Sequence, residues 1–62
     1  MLRDKIKEMA AEKGLTLRKV SEESGVPYSA LACWNDSMPS AVALARVAKV
    51  LGTTSEELLE ED

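Results

Sequence analysis

Few side chains in this 62-residue sequence could carry out covalent or metal chemistry. It contains no histidine and a single cysteine, Cys33, and its carboxylates do not recur at spacings that would hold a metal ion. A glycine-rich phosphate-binding loop is also absent. Cys33 has no basic neighbour in sequence that would activate its thiol. The sequence therefore predicts a protein that is not an enzyme and that uses no metal, cofactor or small-molecule substrate.

The charged residues bear on binding rather than on catalysis. The formal net charge is −3, but five of the eleven acidic residues lie in the last seven positions. These are Glu56, Glu57, Glu60, Glu61 and Asp62. The rest of the chain has eight basic and six acidic residues, a net charge of +2. Because the basic residues are dispersed, this pattern permits a nucleic-acid partner and predicts weak electrostatic attraction to it. The acidic end is predicted to be a solvated terminus.

Length and composition indicate one small helical domain covering residues 1–62. Aliphatic residues, glutamate and lysine dominate, and Tyr28 and Trp34 are the only aromatic residues. No apolar run approaches the roughly 20 residues of a membrane span. A secretory signal is not expected, since charge begins at Arg3. The lone Cys33 fits a reducing compartment, so we expect a cytoplasmic protein without a membrane partner.

Caps and hydrophobic spacing predict five helices, at about 2–13, 17–24, 28–35, 41–51 and 55–60. The predicted N-caps are Thr16, Ser40 and Thr54. The predicted stops are Gly14, Gly25 and Gly52. Thr54 and Glu57 have the spacing of a capping box. The fourth helix carries a core stripe of Leu44, Val47, Ala48 and Leu51.

The segment from Thr16 to Trp34 has the spacing of two helices that meet across a tight turn. Ser21 is small where the backbones would approach, and Gly25 can adopt the positive φ of the turn. The apolar residues that would fix both helices to the core are Val20, Val26, Leu31 and Trp34. This spacing fits a helix-turn-helix, and it also fits an ordinary αα-hairpin in a small bundle.

The residues from Gly14 to Leu31, GLTLRKVSEESGVPYSAL, resemble the helix-turn-helix of the Cro/repressor (XRE-type) family. The similarity continues through Pro39-Ser40, through Leu44 to Gly52 and through Thr54 to Leu59. It therefore covers nearly the whole chain in order. The resemblance implies an all-α, five-helix bundle of the lambda-repressor-like type and a regulator of transcription that binds duplex DNA as a dimer.

The same resemblance implies which residues would face DNA. The third helix would be the recognition helix in the major groove. Its base-facing residues would be Tyr28, Ser29, Ala32 and Cys33. Residues near phosphates would be Thr16, Leu17, Arg18 and Lys19 at the start of the second helix.

A second hypothesis is a protein-interaction module on the same scaffold, either a natural relative that lost DNA binding or an engineered binder. It is favoured by a third helix without a basic residue and by Asp36 in the following turn. The possible partner interface, for a homodimer or another protein, adds residues beside the core stripe of the fourth helix, namely Val42, Ala43, Ala45 and Val50. An antitoxin, which neutralises a partner protein, would combine both activities.

Overall fold

The computed structural model describes residues 1–60, in which every regular element is a helix. The helices are α1 (Leu2–Glu12), α2 (Leu17–Ser24), α3 (Tyr28–Ala32), α4 (Ala41–Leu51) and α5 (Ser55–Leu59). The prediction of an all-helical fold with five helices is confirmed. The bounds of α2 and α4 are those predicted from their caps.

The helix ends are formed mainly by short-range hydrogen bonds. The hydroxyl oxygens of Thr16 and Ser40 each accept from a backbone N–H three residues later, at 3.1 and 3.2 Å. Thr54 Oγ1 accepts from Glu57 N at 3.1 Å, which is one half of the predicted capping box. The other half is not formed, because Glu57 Oε2 instead accepts from Thr53 Oγ1. Local sequence thus defines the N-termini of α2, α4 and α5.

The predicted C-terminal end of the third helix was wrong. α3 ends at Ala32 rather than near residue 35. Beyond it the backbone tightens, since the amides of Cys33 and Trp34 bond to carbonyls three residues earlier. The carbonyl of Ala32 accepts instead from Arg3 Nη1 at 3.1 Å. A side chain from α1 therefore satisfies an acceptor that a longer helix would have used.

Two other helices are one residue shorter than predicted. α1 ends at Glu12, because the amides of Lys13 and Gly14 bond to the Ala10 and Ala11 carbonyls in a tight turn. α5 ends at Leu59, where Glu60 has extended backbone. Of the acidic end, Glu56, Glu57 and Glu60 are exposed, and residues 61–62 lie outside the described residues.

All five helices, with residues from the connections, contribute to one core. Its buried side chains are Ile6, Ala10, Val20, Val26, Leu31, Trp34, Leu44, Val47, Ala48, Leu51 and Leu58. The predicted stripe on α4 is fully included, and the most extensive helix pairing is between α2 and α4. The radius of gyration is 10.0 Å, close to the roughly 10.5 Å expected for a compact chain of this length. Val20 and Leu31 anchor α2 and α3 to this core.

Candidate nucleic-acid interface

The turn between α2 and α3 is fixed by a small set of hydrogen bonds. Gly25 has a φ of 77°, and its N–H donates to the Ser21 carbonyl at 3.0 Å. Ser21 Oγ donates to the Val26 carbonyl at 2.6 Å, across the turn. The buried Ser24 hydroxyl accepts from Val26 N at 3.3 Å. The turn therefore has partners for its polar groups, which sets the direction in which α3 leaves it.

The predicted base-facing residues of α3 do not all have the same exposure. Tyr28 and Ser29 are exposed in the first turn, with Tyr28 at 41%. Ala32 is half-buried at the last helical position. Cys33 is exposed but caps the helix rather than lying within it. Tyr28 and Ser29 are the two polar side chains within α3, and both are exposed.

The start of α2 lies beside the start of α3. The guanidinium carbon of Arg18 is 4.7 Å from the centroid of the Tyr28 ring. A cation–π contact at an exposed site is worth roughly 0.5–1 kcal/mol. The contact brings together one residue predicted to face phosphate and one predicted to face bases.

The other three residues predicted near phosphate occupy the first turn of α2. Thr16 is exposed and uses its hydroxyl to cap the helix through Lys19 N. Leu17 is half-buried and its side chain packs against the core. Of this residue, the backbone rather than the side chain is therefore available to a phosphate. The Lys19 ammonium lies 3.9 Å from Glu22 and 3.7 Å from Glu23. Exposed pairs of this kind contribute little to stability, so Lys19 can exchange partners readily.

Sequence reasoning missed the role of Arg3 and Asn35, which connect α1 to the end of α3. Asn35 Oδ1 accepts from Arg3 N at 2.9 Å in the first turn of α1, and Asn35 Nδ2 donates to Asp4 Oδ2 at 3.3 Å. Met1, the N-cap residue, supplies no side-chain bond of its own. The Arg3 guanidinium in turn satisfies the Ala32 carbonyl. The N-terminus of α1 and the C-terminus of α3 thus cap each other, over separations that no local sequence signal would reveal.

Arg46 was also missed, although it lies close to the turn. A Cβ placed on Gly25 would be 3.7 Å from Arg46 Nη1. Arg46 is exposed, and it shares one face of α4 with Val42 and Ala43. The spacing of these residues, four and three apart along a helix, was the available signal. It could not show that this face lies beside the turn after α2.

The four residues predicted as a partner interface are separated by the fold. Val42 and Ala43 line a shallow surface groove of about 410 Å³ between α3 and α4, together with Ala30. Ala45 is exposed and does not line this groove. Val50 is half-buried and packs against the core. The structure therefore brings together Val42 and Ala43 and leaves Ala45 and Val50 apart from them.

The described residues contain no group of three potential metal ligands close enough to share an ion. Within residues 1–60, no helix has both the length and the apolar character that a membrane span requires. No protein-family model matches the chain, and neither the curated proteins nor the solved structures compared with it gave a match.

Proposed function

We propose that this chain binds duplex DNA, with α2 and α3 acting as a helix-turn-helix and α3 entering the major groove. The observation that carries the proposal is the contact of Arg18 with Tyr28, which unites the exposed first turns of α2 and α3 in one polar surface. The resemblance of residues 14–31 to the Cro/repressor family supports the same orientation. On this basis the chain acts in the regulation of transcription.

Base contacts would come from the first turn of α3. The hydroxyl groups of Tyr28 and Ser29 can each donate to or accept from base edges. Ala32 and Cys33 would add apolar contact further along, of the kind that suits a thymine methyl group. Without a bidentate side chain such as Arg, Asn or Gln, this surface is expected to discriminate modestly between sequences.

Phosphate contacts would come from the start of α2. Arg18 and Lys19 supply the positive charge, and the backbone near Thr16 and Leu17 lies at the same helix end. Two neutralised phosphates give a slope of log K against log salt of about −1.8 per chain. Raising the salt concentration from about 50 to 200 mM would then weaken binding roughly tenfold.

A homodimer on a two-part site is part of the proposal, because one chain offers few cations. Two copies would contact half-sites separated by about 34 Å, one turn of the duplex. The salt slope would then be about twice that of one chain. Analytical sedimentation with and without a two-site duplex checks this part, and a strict one-to-one complex on such a duplex would contradict it.

The principal test is fluorescence anisotropy with labelled random duplex DNA across a salt series. We expect binding that strengthens as salt is lowered. Arg18→Ala should weaken binding about tenfold on every duplex, because it removes a phosphate contact. The matched control is Lys7→Ala, which removes the same charge from the exposed side of α1. No binding at low salt, or equal losses in the two variants, would refute the proposed interface.

Sequence preference needs a separate measurement. Selection of duplexes from a random library by the unaltered chain should enrich a short motif. We expect Tyr28→Ala to change that motif, since Tyr28 is the largest exposed side chain in the first turn of α3. Ala45→Ser on α4 serves as the control and should leave the motif unchanged. An identical motif from the Tyr28 variant would remove Tyr28 from base contact.

A further inference from the structure

The groove between α3 and α4 has an apolar surface that nothing in the described chain covers. We name it the α3–α4 groove and define it by Pro27, Ala30, Pro39, Val42, Ala43 and Arg46. Trp34 and Val26, both buried core residues, form its base. Ala30 is its lining residue from α3, whereas Tyr28 and Ser29 do not line it. The groove is thus distinct from the proposed DNA-facing surface.

Val42 is a large exposed apolar residue that lines the groove. It is 64% exposed in the first turn of α4, where polar or acidic residues are favoured. Valine also has a lower helix propensity than most residues. Its side chain is mostly unburied in the isolated chain, and it lines the groove together with Ala43 and Ala30. An apolar side chain in this position suits contact with a second molecule.

The charge of Arg46 indicates which group the second molecule must carry. Of the residues that the structure describes, Arg46 is the only charged one that lines the groove. Among residues 1–60, its guanidinium takes part in no ion pair and no hydrogen bond. A guanidinium beside apolar surface pairs most favourably with a carboxylate, which it can contact through two parallel hydrogen bonds. The groove is therefore complementary to an apolar group with a carboxylate nearby.

The helical geometry of α4 sets the spacing that a partner's apolar group and carboxylate must have. Val42 and Arg46 are four residues apart on α4, one helical turn along its axis. An amphipathic helix lying along the groove would match them with an apolar anchor and an acidic residue three or four positions away. The groove is shallow and open to solvent, so a peptide segment fits it better than a small molecule, which would need deeper enclosure.

We propose that the α3–α4 groove binds a helical segment of a partner protein that carries one bulky apolar anchor and, one turn away, an Asp or Glu that pairs with Arg46. This inference does not depend on DNA binding. It uses residues that the DNA proposal leaves unassigned.

The test is a selection of twelve-residue peptides from a phage-displayed random library on the full chain. We expect enriched peptides to combine an apolar residue with Asp or Glu three or four positions away. A synthetic peptide of the most enriched sequence should bind with a change in Trp34 fluorescence, since Trp34 is the only tryptophan and lies at the base of the groove. Failure to enrich any such pattern would overturn the proposal.

Peptide binding by two variants of α4 tests whether the selected peptide occupies the groove. Val42→Glu should weaken binding of that peptide at least tenfold, and Ala45→Glu, on the same helix outside the groove, should not. Both substitutions replace exposed residues, and a glutamate near the start of α4 is compatible with the helix. Equal effects of the two variants would overturn the assignment to the groove.

Charge reversal gives the most specific result. Selection on the Arg46→Glu variant should enrich Lys or Arg where the unaltered chain enriched Asp or Glu. Lys49→Glu, an equal charge change on α4 outside the groove, should still select acidic peptides. The same acidic peptides from the Arg46 variant would overturn the role of Arg46. Self-association abolished by Val42→Glu, without peptide enrichment, would assign the groove to a second copy and also overturn the proposal.

Discussion

α3 and α4 both contribute residues to one surface groove, but they are stabilised in different ways. α4 has eleven residues, four buried side chains, and caps supplied by Ser40 and Gly52 at its own ends. α3 has five residues and one buried side chain within its bounds, Leu31. Its start depends on the turn at Gly25 and its end on Arg3 from α1. α3, the helix proposed to contact bases, therefore has the weaker intrinsic stability. Its position depends on contacts with neighbouring elements.

The largest expected effect comes from removing the buried anchor of α3. Leu31→Ala should reduce the free energy of unfolding by about 2–5 kcal/mol, through lost burial and the cavity left behind. For comparison, Val47→Ala removes a fully buried side chain from α4, where three other buried residues remain. Urea denaturation followed by Trp34 fluorescence measures both. Hydrogen exchange should show protection of α3 lost selectively in the Leu31 variant, and equal loss over α3 in both would contradict the comparison.

The next effect concerns the two glycines that close helices. Gly25→Ala and Gly52→Ala should each cost about 1–2 kcal/mol, because both positions have positive φ that alanine adopts poorly. Neither added Cβ would meet backbone within 4 Å, so strain rather than crowding causes the loss. Thermal and urea unfolding check these values.

The two glycine variants should then differ in DNA binding. Gly25→Ala would alter the turn that directs α3, whereas Gly52→Ala acts at the far end of α4. We therefore expect only the Gly25 variant to weaken binding in the anisotropy assay under conditions in which both are folded. Equal affinities for the two variants would mean that the turn does not orient the interface.

A smaller effect distinguishes a tertiary cap from a local one. Asn35→Ala should cost about 1 kcal/mol by removing the acceptor for the Arg3 amide, and Ser40→Ala should cost a similar amount at α4. The two substitutions should increase hydrogen exchange at different backbone amides. Exchange of the Arg3 amide should increase in the Asn35 variant, and exchange of the Ala43 amide in the Ser40 variant. Unchanged exchange at Arg3 would show that Asn35 does not cap α1 in solution.

The smallest expected effect is the coupling between α2 and α3. A double-mutant cycle with Arg18→Ala and Tyr28→Ala should give a coupling energy of roughly 0.5–1 kcal/mol, the value for an exposed cation–π contact. Lys19 and Glu23 form the control pair, for which about 0.3–0.5 kcal/mol is expected. Additive effects of the Arg18 and Tyr28 substitutions would contradict the contact between the two helix starts.

Much of the fold could be predicted because its signals are local. Thr16 and Ser40 cap helices through amides three residues away, and Gly25 and Gly52 end them, so the bounds of α2 and α4 followed from the sequence. The core stripe of α4 followed from helical periodicity in the same way. Tyr28 and Ser29 are exposed, and their contact with DNA stays a prediction.

The sequence by itself determined five helices, their main caps and the core residues between Val20 and Leu51. Only the tertiary structure decided where α3 ends and which distant side chains lie near its two ends. Arg3 and Asn35 are 32 residues apart, and Arg46 lies 21 positions beyond Gly25, so no periodicity connects them. Such contacts depend on how the helices pack around the shared core. The same packing brings Arg18 to Tyr28 and Arg46 to an apolar groove, which gives two similar side chains different predicted partners.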